Sequence, residues 1–161
     1  SRSAGSELVL LVKKICELIE SGADFETVVE KAELYSRHTH VVFALSSFNN
    51  LVKNGRMSKI VGFVANKLGF WGIGIGSEQG TIEIKQKIRG SKKALDAIIE
   101  DMKERGYNCG KVVISHCRNA EFAESVKSAI QSVWDKAEVK IVRARGLCSY
   151  YAEKGGLIIG F

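Results

Sequence analysis

Residues 81–106 combine two patterns of apolar and polar positions, one typical of a strand and the next typical of a helix. Ile82, Ile84, Gln86 and Ile88 alternate with charged residues, which predicts a strand with one face on a core and the other in water. After Gly90 the apolar residues recur at steps of three and four, which predicts one buried stripe of an α-helix. The residues of this stripe are Ala94, Leu95, Ile98, Ile99 and Met102. The pattern therefore indicates a chain that contains both strands and helices.

Capping residues and glycines mark the ends of the predicted helices. Ser91 is placed to cap the helix that follows the strand, and Gly106 is placed to end it. Two more helices are predicted near the start of the chain, the first ending at Gly22 and the second capped by Asp24. Their predicted buried residues are Leu8, Leu11, Val12, Ile15, Leu18 and Ile19 in the first helix and Phe25, Val28, Val29 and Ala32 in the second.

The segment between residues 39 and 77 is the most apolar part of the chain. Residues 39–45 are predicted as a strand buried on both faces, and a short helix after them ends at Gly55. Ser58 opens a second, apolar helix. Residues 69–77, GFWGIGIGS, lack the lysine and hydroxyl residue of a phosphate-binding loop, so they do not predict a nucleotide site. They favour a strand with close backbone contacts, or a strand that passes a ligand.

Strands and helices alternate in the second half of the chain. Strands are predicted at residues 111–115, 139–142 and 157–161, and Asn119 is placed to cap a helix over residues 120–134. This order predicts a single α/β domain over residues 1–161 with some parallel pairing in its sheet.

Composition and charge exclude several classes of protein. The chain has 45% hydrophobic and 26% charged residues and no apolar run of the ~18 residues that a membrane span needs. Its four cysteines form no CxxC pair, which favours a reducing, cytoplasmic compartment. The net charge of +6 is compatible with nucleic-acid binding, but the basic residues are interleaved with acidic ones, which favours ordinary solvated faces. We therefore expect no nucleic-acid partner and no membrane span.

Few residues suggest chemistry. Arg56 and Arg89 each lie beside a glycine at a corner between two elements, where a guanidinium can reach a carboxylate or phosphate or can simply face solvent. His116 follows a predicted strand, at the edge where ligands bind in open α/β sheets. No paired carboxylates, metal cluster or nucleophile and base stand out. These residues predict neither a catalytic site, nor a metal site, nor a cofactor.

Four motifs, in order along the chain, resemble the DegV family of bacterial fatty-acid-binding proteins. The most distinctive is KIRGSKKAL at residues 87–95, a strand end followed by a lysine-rich helix start. LVKNGRMS at residues 51–58 resembles the arginine corner of the family, and residues 115–123 resemble its histidine-and-alanine helix start. Residues 155–161 resemble its glycine-rich last strand. The resemblance covers nearly the whole chain.

The resemblance implies a fold and a function. It identifies the chain with the second, C-terminal domain of a two-domain protein, with the N-terminal domain outside this chain and residues 1–4 leaving that first domain. The implied fold is a two-layer mixed β-sheet with helices packed mainly on one face. The family binds a long-chain fatty acid in an apolar tunnel, holds the carboxylate largely through the first domain, and presents it to a separate fatty-acid kinase. We therefore expect a lipid-binding and presenting protein, not an enzyme.

The resemblance also implies roles for individual residues. The expected walls of the apolar tunnel are Phe63, Leu68, Phe70 and Ile73. The residues expected nearest the head group or the kinase-facing rim are Arg89 and Tyr151, with Arg56 as a further rim residue that contacts the partner.

Two departures from the family pattern leave an alternative open. Trp71 and Gly72 stand where the family has a lysine–proline pair, and Tyr151 stands where it has a histidine that helps to hold the carboxylate. Trp71 has the size to fill volume that other members leave for lipid. The alternative is a regulatory or interaction domain that keeps the DegV fold and has lost lipid binding.

Overall fold

The computed structural model describes residues 4–56, 69–77 and 82–161. The helices in these residues are α1 (Ser6–Glu20), α2 (Phe25–Arg37), α3 (Asn49–Lys53), α4 (Ser91–Glu104), α5 (Ala120–Val133) and α6 (Gly146–Ala152). The strands are β1 (Val41–Leu45), β2 (Phe70–Gly76), β3 (Ile82–Arg89), β4 (Lys111–His116), β5 (Glu138–Arg143) and β6 (Leu157–Gly160). The helix predicted from Ser58 lies outside the described residues. Within those residues, no helix has the length and apolarity to cross a membrane.

The six strands of the described residues form one mixed sheet in the order β3-β2-β1-β6-β4-β5. β4 and β5 pair in parallel, with α5 as the crossover between them. The other four pairs are antiparallel. The predicted α/β fold with a mixed sheet is therefore confirmed.

The first face of the sheet is covered by α4 and α5 and holds the larger core. Val42, Ala44 and Ile73 of neighbouring strands lie on this face and pack against the two helices. The fully buried side chains contributed by the helices include Ile98, Met102, Val126 and Ile130. Ile98 and Met102 belong to the predicted stripe of α4, and Val126 and Ile130 share one side of α5 because they are four residues apart.

The second face carries a smaller core and its own helices. The prediction placed the helices mainly on one face, and the structure places α1, α3 and α6 on the other. At the start of α1, the buried Ser6 hydroxyl donates to the Ile158 carbonyl at 2.6 Å and lies 2.7 Å from the Ser115 hydroxyl. Phe48 and Leu51, at and within α3, are fully buried in the second core. Covering both faces is necessary here because β1 is buried along its whole length.

A β-bulge changes the predicted pattern of β3. The alternation predicted that Ile82, Ile84 and Ile88 share one face. Instead Ile84 pairs with Gly74 while Gln86 pairs with Ile73, so that one extra residue is inserted between them. Ile82 and Ile84 therefore pack on the second core, and Ile88 packs on the first. The prediction of a single apolar face for this strand was wrong, because the bulge turns the side chains that follow it to the opposite side of the sheet.

About half of the residues in the predicted apolar stripes of α1 and α2 are exposed. Leu8, Val12 and Ile19 lie on the side of α1 that faces away from the sheet, and Phe25 of α2 is 77% exposed. α2 packs against α1 and contributes no fully buried residue. Leu18 is buried as predicted, and α1 also turns Ser6 and Leu10 toward the sheet. The exposed part of the stripe was predicted wrongly because periodicity identifies a stripe of residues but not the segment that covers it.

Most predicted helix ends are confirmed. The Asp24 carboxylate accepts from the backbone N–H of Thr27 at 2.8 Å, and Asn119 caps α5 in the same way. Gly55 and Gly106 have φ of 66° and 74°, the left-handed conformation expected just after a helix. The cap predicted at Ser91 was wrong. Gly90 precedes the helix, Ser91 is its first residue, and no side chain caps this end.

The helix α6 was not predicted. Its sequence, GLCSYYA, is too short to show a helical stripe. It is held by contacts with α3, which no local pattern reveals.

Candidate functional site

The strand β2 has a different character on each side of the sheet. Gly72 and Gly74 pair with Leu45 and Phe43 of β1, so these glycines lie on the second face of the sheet. The residues between them, such as Ile73, point to the first face. β2 therefore presents bulky side chains to α4 and α5 and a stripe of glycines to the opposite side. We call the second-face surface of β1, β2 and β3 the glycine face.

The glycines leave room that neighbouring groups occupy at close range. A Cβ built on Gly72 would lie 2.2 Å from Cζ of Phe48, whose ring therefore lies directly against the backbone. A Cβ on Gly76 would lie 3.0 Å from Val41. The surface is apolar, since Phe43 and Ile84 belong to the second core. Such a surface allows close approach of an apolar group to the strand backbone.

A cleft of about 700 Å³ lies at one end of the glycine face, where Val41 and Gly76 form part of its wall. The rest of its lining is mainly polar and includes Glu7, Arg37 and Arg105. This cleft by itself is not the apolar enclosure that a lipid tail needs. The cleft lies at the Gly76 end of the glycine stripe, and Phe48 lies at the Gly72 end.

His40 lies between this cleft and a smaller one on the other side of β1. Its burial, together with the nearby Arg105 guanidinium, lowers the pKa of His40 below the ordinary value of 6.5. The ring also packs against Phe161, with centroids 5.7 Å apart. His40 is therefore neutral at pH 7 and is part of the packing at this edge.

The opposite edge of the sheet holds two of the predicted site residues. Phe70 and Arg89 are paired across β2 and β3, on the side of the glycine face. The backbone N–H of Gly90 donates to the Gly69 carbonyl at 2.9 Å and closes this end of the two strands. The Arg89 side chain is exposed. A guanidinium in this position is accessible to an anionic group of a ligand or partner.

Tyr151 lies on α6 at the same edge and packs against the second core. Four hydrogen bonds join α6 and the residue after it to the segment around α3. The Glu153 carboxylate accepts from the Asn50 backbone N–H at 2.7 Å and from the Ser47 hydroxyl at 2.5 Å. The Asn50 side chain donates to the Tyr150 carbonyl, and the Asn54 side chain donates to the Tyr150 hydroxyl. We call these four bonds the α3–α6 clasp.

His116 has a structural partner at the end of β4. Its Nδ1 accepts from the backbone N–H of Asn119 at 3.1 Å, and its side chain is buried. Asn119 in turn donates from Nδ2 to the Gly155 carbonyl at 2.8 Å. The pair therefore fixes the loop before β6. Among residues 4–56, 69–77 and 82–161, no group of three or more histidine, cysteine, aspartate or glutamate residues could hold a metal ion.

The other predicted site residues are distributed over both faces. Ile73 is 1% exposed in the core beneath α4 and α5, on the side opposite the glycine face. Arg56 is exposed just after α3. Phe63 and Leu68 lie outside the described residues. Trp71 packs against Phe122 of α5 with ring centroids 4.7 Å apart, so that its ring lies on the first face.

Sequence reasoning missed Phe48 and Glu153. The alternation of glycines at positions 72, 74 and 76 was a signal that something lies close to one face of β2, but it did not identify the ring of Phe48. Glu153 has no local signal. Its role depends on residues that are more than 100 positions earlier in the sequence.

The family model described as "Uncharacterised protein, DegV family" matches residues 1–161. The chain belongs to the DegV family. A DegV domain-containing protein of Streptococcus pyogenes serotype M1 is 44% identical over 161 residues, which are 100% of this chain and 58% of that relative. The chain therefore spans less than three fifths of the length of this DegV relative.

The solved structures similar to this chain include proteins loaded with fatty acids. The Fatty Acid Kinase (Fak) B3 protein of Streptococcus pneumoniae, loaded with linoleic acid, is 41% identical with a TM-score of 0.96. The match covers 99% of this chain and 57% of that one. A DegV family protein from Eubacterium eligens, loaded with heptadecanoic acid, is 35% identical with a TM-score of 0.96, over 99% of this chain and 58% of that one.

Proposed function

We propose that this protein binds a long-chain fatty acid, with this chain supplying the domain that contacts the tail. The observation that carries the proposal is the match, at TM-scores of 0.96, to two relatives that are loaded with linoleic and heptadecanoic acids. The chain would act as the second domain of a longer protein, because these relatives extend well beyond the region it matches.

The chemistry of the glycine face supports this proposal. Each methylene group that leaves water contributes roughly 0.8 kcal/mol, so a long acyl chain binds mainly by burial. The glycine face offers apolar surface for such a chain, since Phe43 and Ile84 belong to the second core. Of the proposed tunnel walls, Phe70 lies on this side of the sheet. The opposite face is covered by α4 and α5.

We propose further that the protein presents the carboxyl group to a separate kinase and is not itself an enzyme. Arg89 is exposed at the end of β3, Arg56 is exposed just after α3, and Tyr151 of α6 packs on the second core. The name of the Streptococcus pneumoniae relative, a Fatty Acid Kinase B3 protein, supports a kinase as the partner. An exposed arginine beside the head group suits recognition of an anionic surface or phosphoryl group.

Native mass spectrometry with lipid extraction tests fatty-acid binding directly. The sample is the longest natural form of the protein that contains these 161 residues, purified from bacteria. We expect a co-purifying fatty acid, whose mass also gives chain length and saturation. A clean apo mass, with no uptake of added palmitate or oleate, would contradict lipid binding and favour the regulatory alternative.

Arg89→Ala tests presentation separately from binding. Because Arg89 is exposed, we expect the free energy of unfolding to change by less than about 0.5 kcal/mol. Acyl-phosphate formation by the partner kinase should fall severalfold while bound lipid is retained. Lys103→Ala, which changes an exposed cation at the far end of α4, is the matched control and should leave the yield unchanged. An unchanged yield from Arg89→Ala would exclude Arg89 from presentation.

A further inference from the structure

Glu153 combines an unfavourable backbone conformation with a well-satisfied carboxylate. Its φ is 52° and its ψ is 178°, a region that residues with a side chain rarely adopt. A glycine would adopt these angles freely. The chain nevertheless places a glutamate there, and strained residues of this kind persist where the surrounding structure fixes them.

The contacts of Glu153 show what fixes it. One carboxylate oxygen accepts from the Asn50 backbone N–H at 2.7 Å, at the start of α3. The other accepts from the Ser47 hydroxyl at 2.5 Å and lies 3.5 Å from Nδ2 of Asn49. Hydrogen bonds to a carboxylate are stronger than those between neutral groups. Glu153 is therefore the anionic centre of the α3–α6 clasp.

The clasp joins two segments that pack on the second core. On one side it anchors the segment of Phe48, the residue whose ring lies against Gly72. On the other it fixes α6, since Tyr150 is bonded to Asn50 and Asn54 and packs edge-on against Tyr151 with ring centroids 5.2 Å apart.

We propose that Glu153 is a positioning residue of the fatty-acid site. It holds Tyr151 and the Phe48 segment in the arrangement that binds the ligand, without contacting the ligand itself. The proposal rests on the proposed lipid function and adds to it the residue that sets the geometry. It also explains why a strained glutamate stands where a glycine would be unstrained.

Three substitutions at Glu153 separate positioning from general stability. Glu153→Gln keeps a side chain of the same shape, with one oxygen for Asn50 and an amide that can donate to the Ser47 oxygen. Glu153→Ala removes the carboxylate and keeps the backbone strain. Glu153→Gly removes both, so this variant should fold at least as well as the alanine variant. Glu124→Ala, an exposed carboxylate on α5, is the matched control.

Two readouts are measured on the longest natural form of the protein that contains these residues. The first is the affinity for oleate, and the second is the environment of the Tyr151 ring by NMR, with Tyr151→Phe for assignment. We expect the alanine and glycine variants to lose about tenfold in affinity, because the loss of the charge-assisted hydrogen bonds from Asn50 and Ser47 releases the segment that the carboxylate holds. Both should also shift the Tyr151 signals, while the glutamine variant and the control stay close to the parent protein.

The outcomes distinguish this proposal from the proposed function. Unchanged oleate affinity in Glu153→Gly would overturn the positioning role even if its stability changed. Failure of the parent protein to bind oleate would contradict the lipid function. The Tyr151 signals alone would then test whether Glu153 positions Tyr151. If those signals are the same in the parent protein, Glu153→Ala and Glu153→Gly, Glu153 does not position Tyr151.

Discussion

The two faces of the sheet use the same strands for opposite purposes. Along β2, Trp71 and Ile73 fill the core beneath α4 and α5 with bulky side chains, while Gly72 and Gly74 carry no side chain on the other face. The first face has interlocking side chains, and the second has a stripe of glycines with one aromatic ring against it. The difference shows that one strand can supply bulky side chains to one core and close backbone contacts to the other.

The same division applies to charge. Beneath α4, Asp101 is 4% exposed and accepts from Lys85 at 2.9 Å and from Arg105 at 2.8 Å. These contacts with Asp101, and then with Glu104, raise the pKa of Lys85 above its ordinary value. At the edge of the glycine face, by contrast, Arg89 is exposed. Asp101, Lys85 and Arg105 are paired within the fold, whereas Arg89 is accessible to other molecules.

The largest expected effect is on the first face. Ile73→Ala should lower the free energy of unfolding by about 2–5 kcal/mol, because it leaves a cavity in a fully packed core. Urea denaturation measures this loss. Oleate affinity, measured where the variant is still folded, tests the proposed tail contact of Ile73. A loss of about tenfold would place the tail within reach of this side chain and weaken the distinction between the faces.

A smaller effect on stability is expected on the glycine face. Gly72→Ala should cost about 1–3 kcal/mol, because its Cβ would overlap the ring of Phe48 and force the ring to move. Gly76→Ala should cost less, since its Cβ meets only the flexible end of Val41 at 3.0 Å. Thermal unfolding gives the order of the two variants, and oleate titration shows whether lipid binding falls with it. Equal losses of stability in the two variants would mean that the position of the Phe48 ring does not require a glycine at residue 72.

The smallest effect is confined to alkaline pH and belongs to the first face. Burial raises the pKa of Tyr107 from 10.0 to about 12, and its ring packs edge-on against Trp134. The folded state therefore holds the phenol proton more tightly than the unfolded chain does. This contribution is complete below pH 10 and is lost as the pH rises toward 12.

Tyr107→Phe removes this titration. As the pH rises from 10 to 12, the loss of stability in the variant should be smaller than that in the parent protein by about 1 kcal/mol. The difference is no larger because the ring is only partly buried and solvent screens its charge. Near neutral pH it should be slightly less stable, because the hydroxyl donates to the Gly110 carbonyl at 2.9 Å. Denaturation at a series of pH values measures both effects. Parallel pH profiles for the two proteins would assign the alkaline loss to other groups.

Local patterns predicted most of the elements. The strand ending at Arg89, the stripes of α4 and α5, and the caps at Asp24 and Asn119 depend on residues within a few positions of one another. The candidate site was predictable only in part, through Arg89 and the glycine-rich strand. The bulge in β3, the helix α6 and the exposed stripe of α1 were not predicted, because each depends on a partner segment that is distant in sequence.

The sequence by itself determined the alternation of strands and helices, the glycine stripe of β2 and the motifs that resemble the DegV family. Only the tertiary structure decided which face each side chain occupies. One extra residue at the bulge moved Ile88 to the opposite side from Ile84, since the side-chain period of a strand is two. The tertiary structure also joined Glu153 to Asn50, which are 103 positions apart in the sequence. A hydrogen bond of 2.7 Å between distant segments is set by packing, which no local pattern of residues encodes.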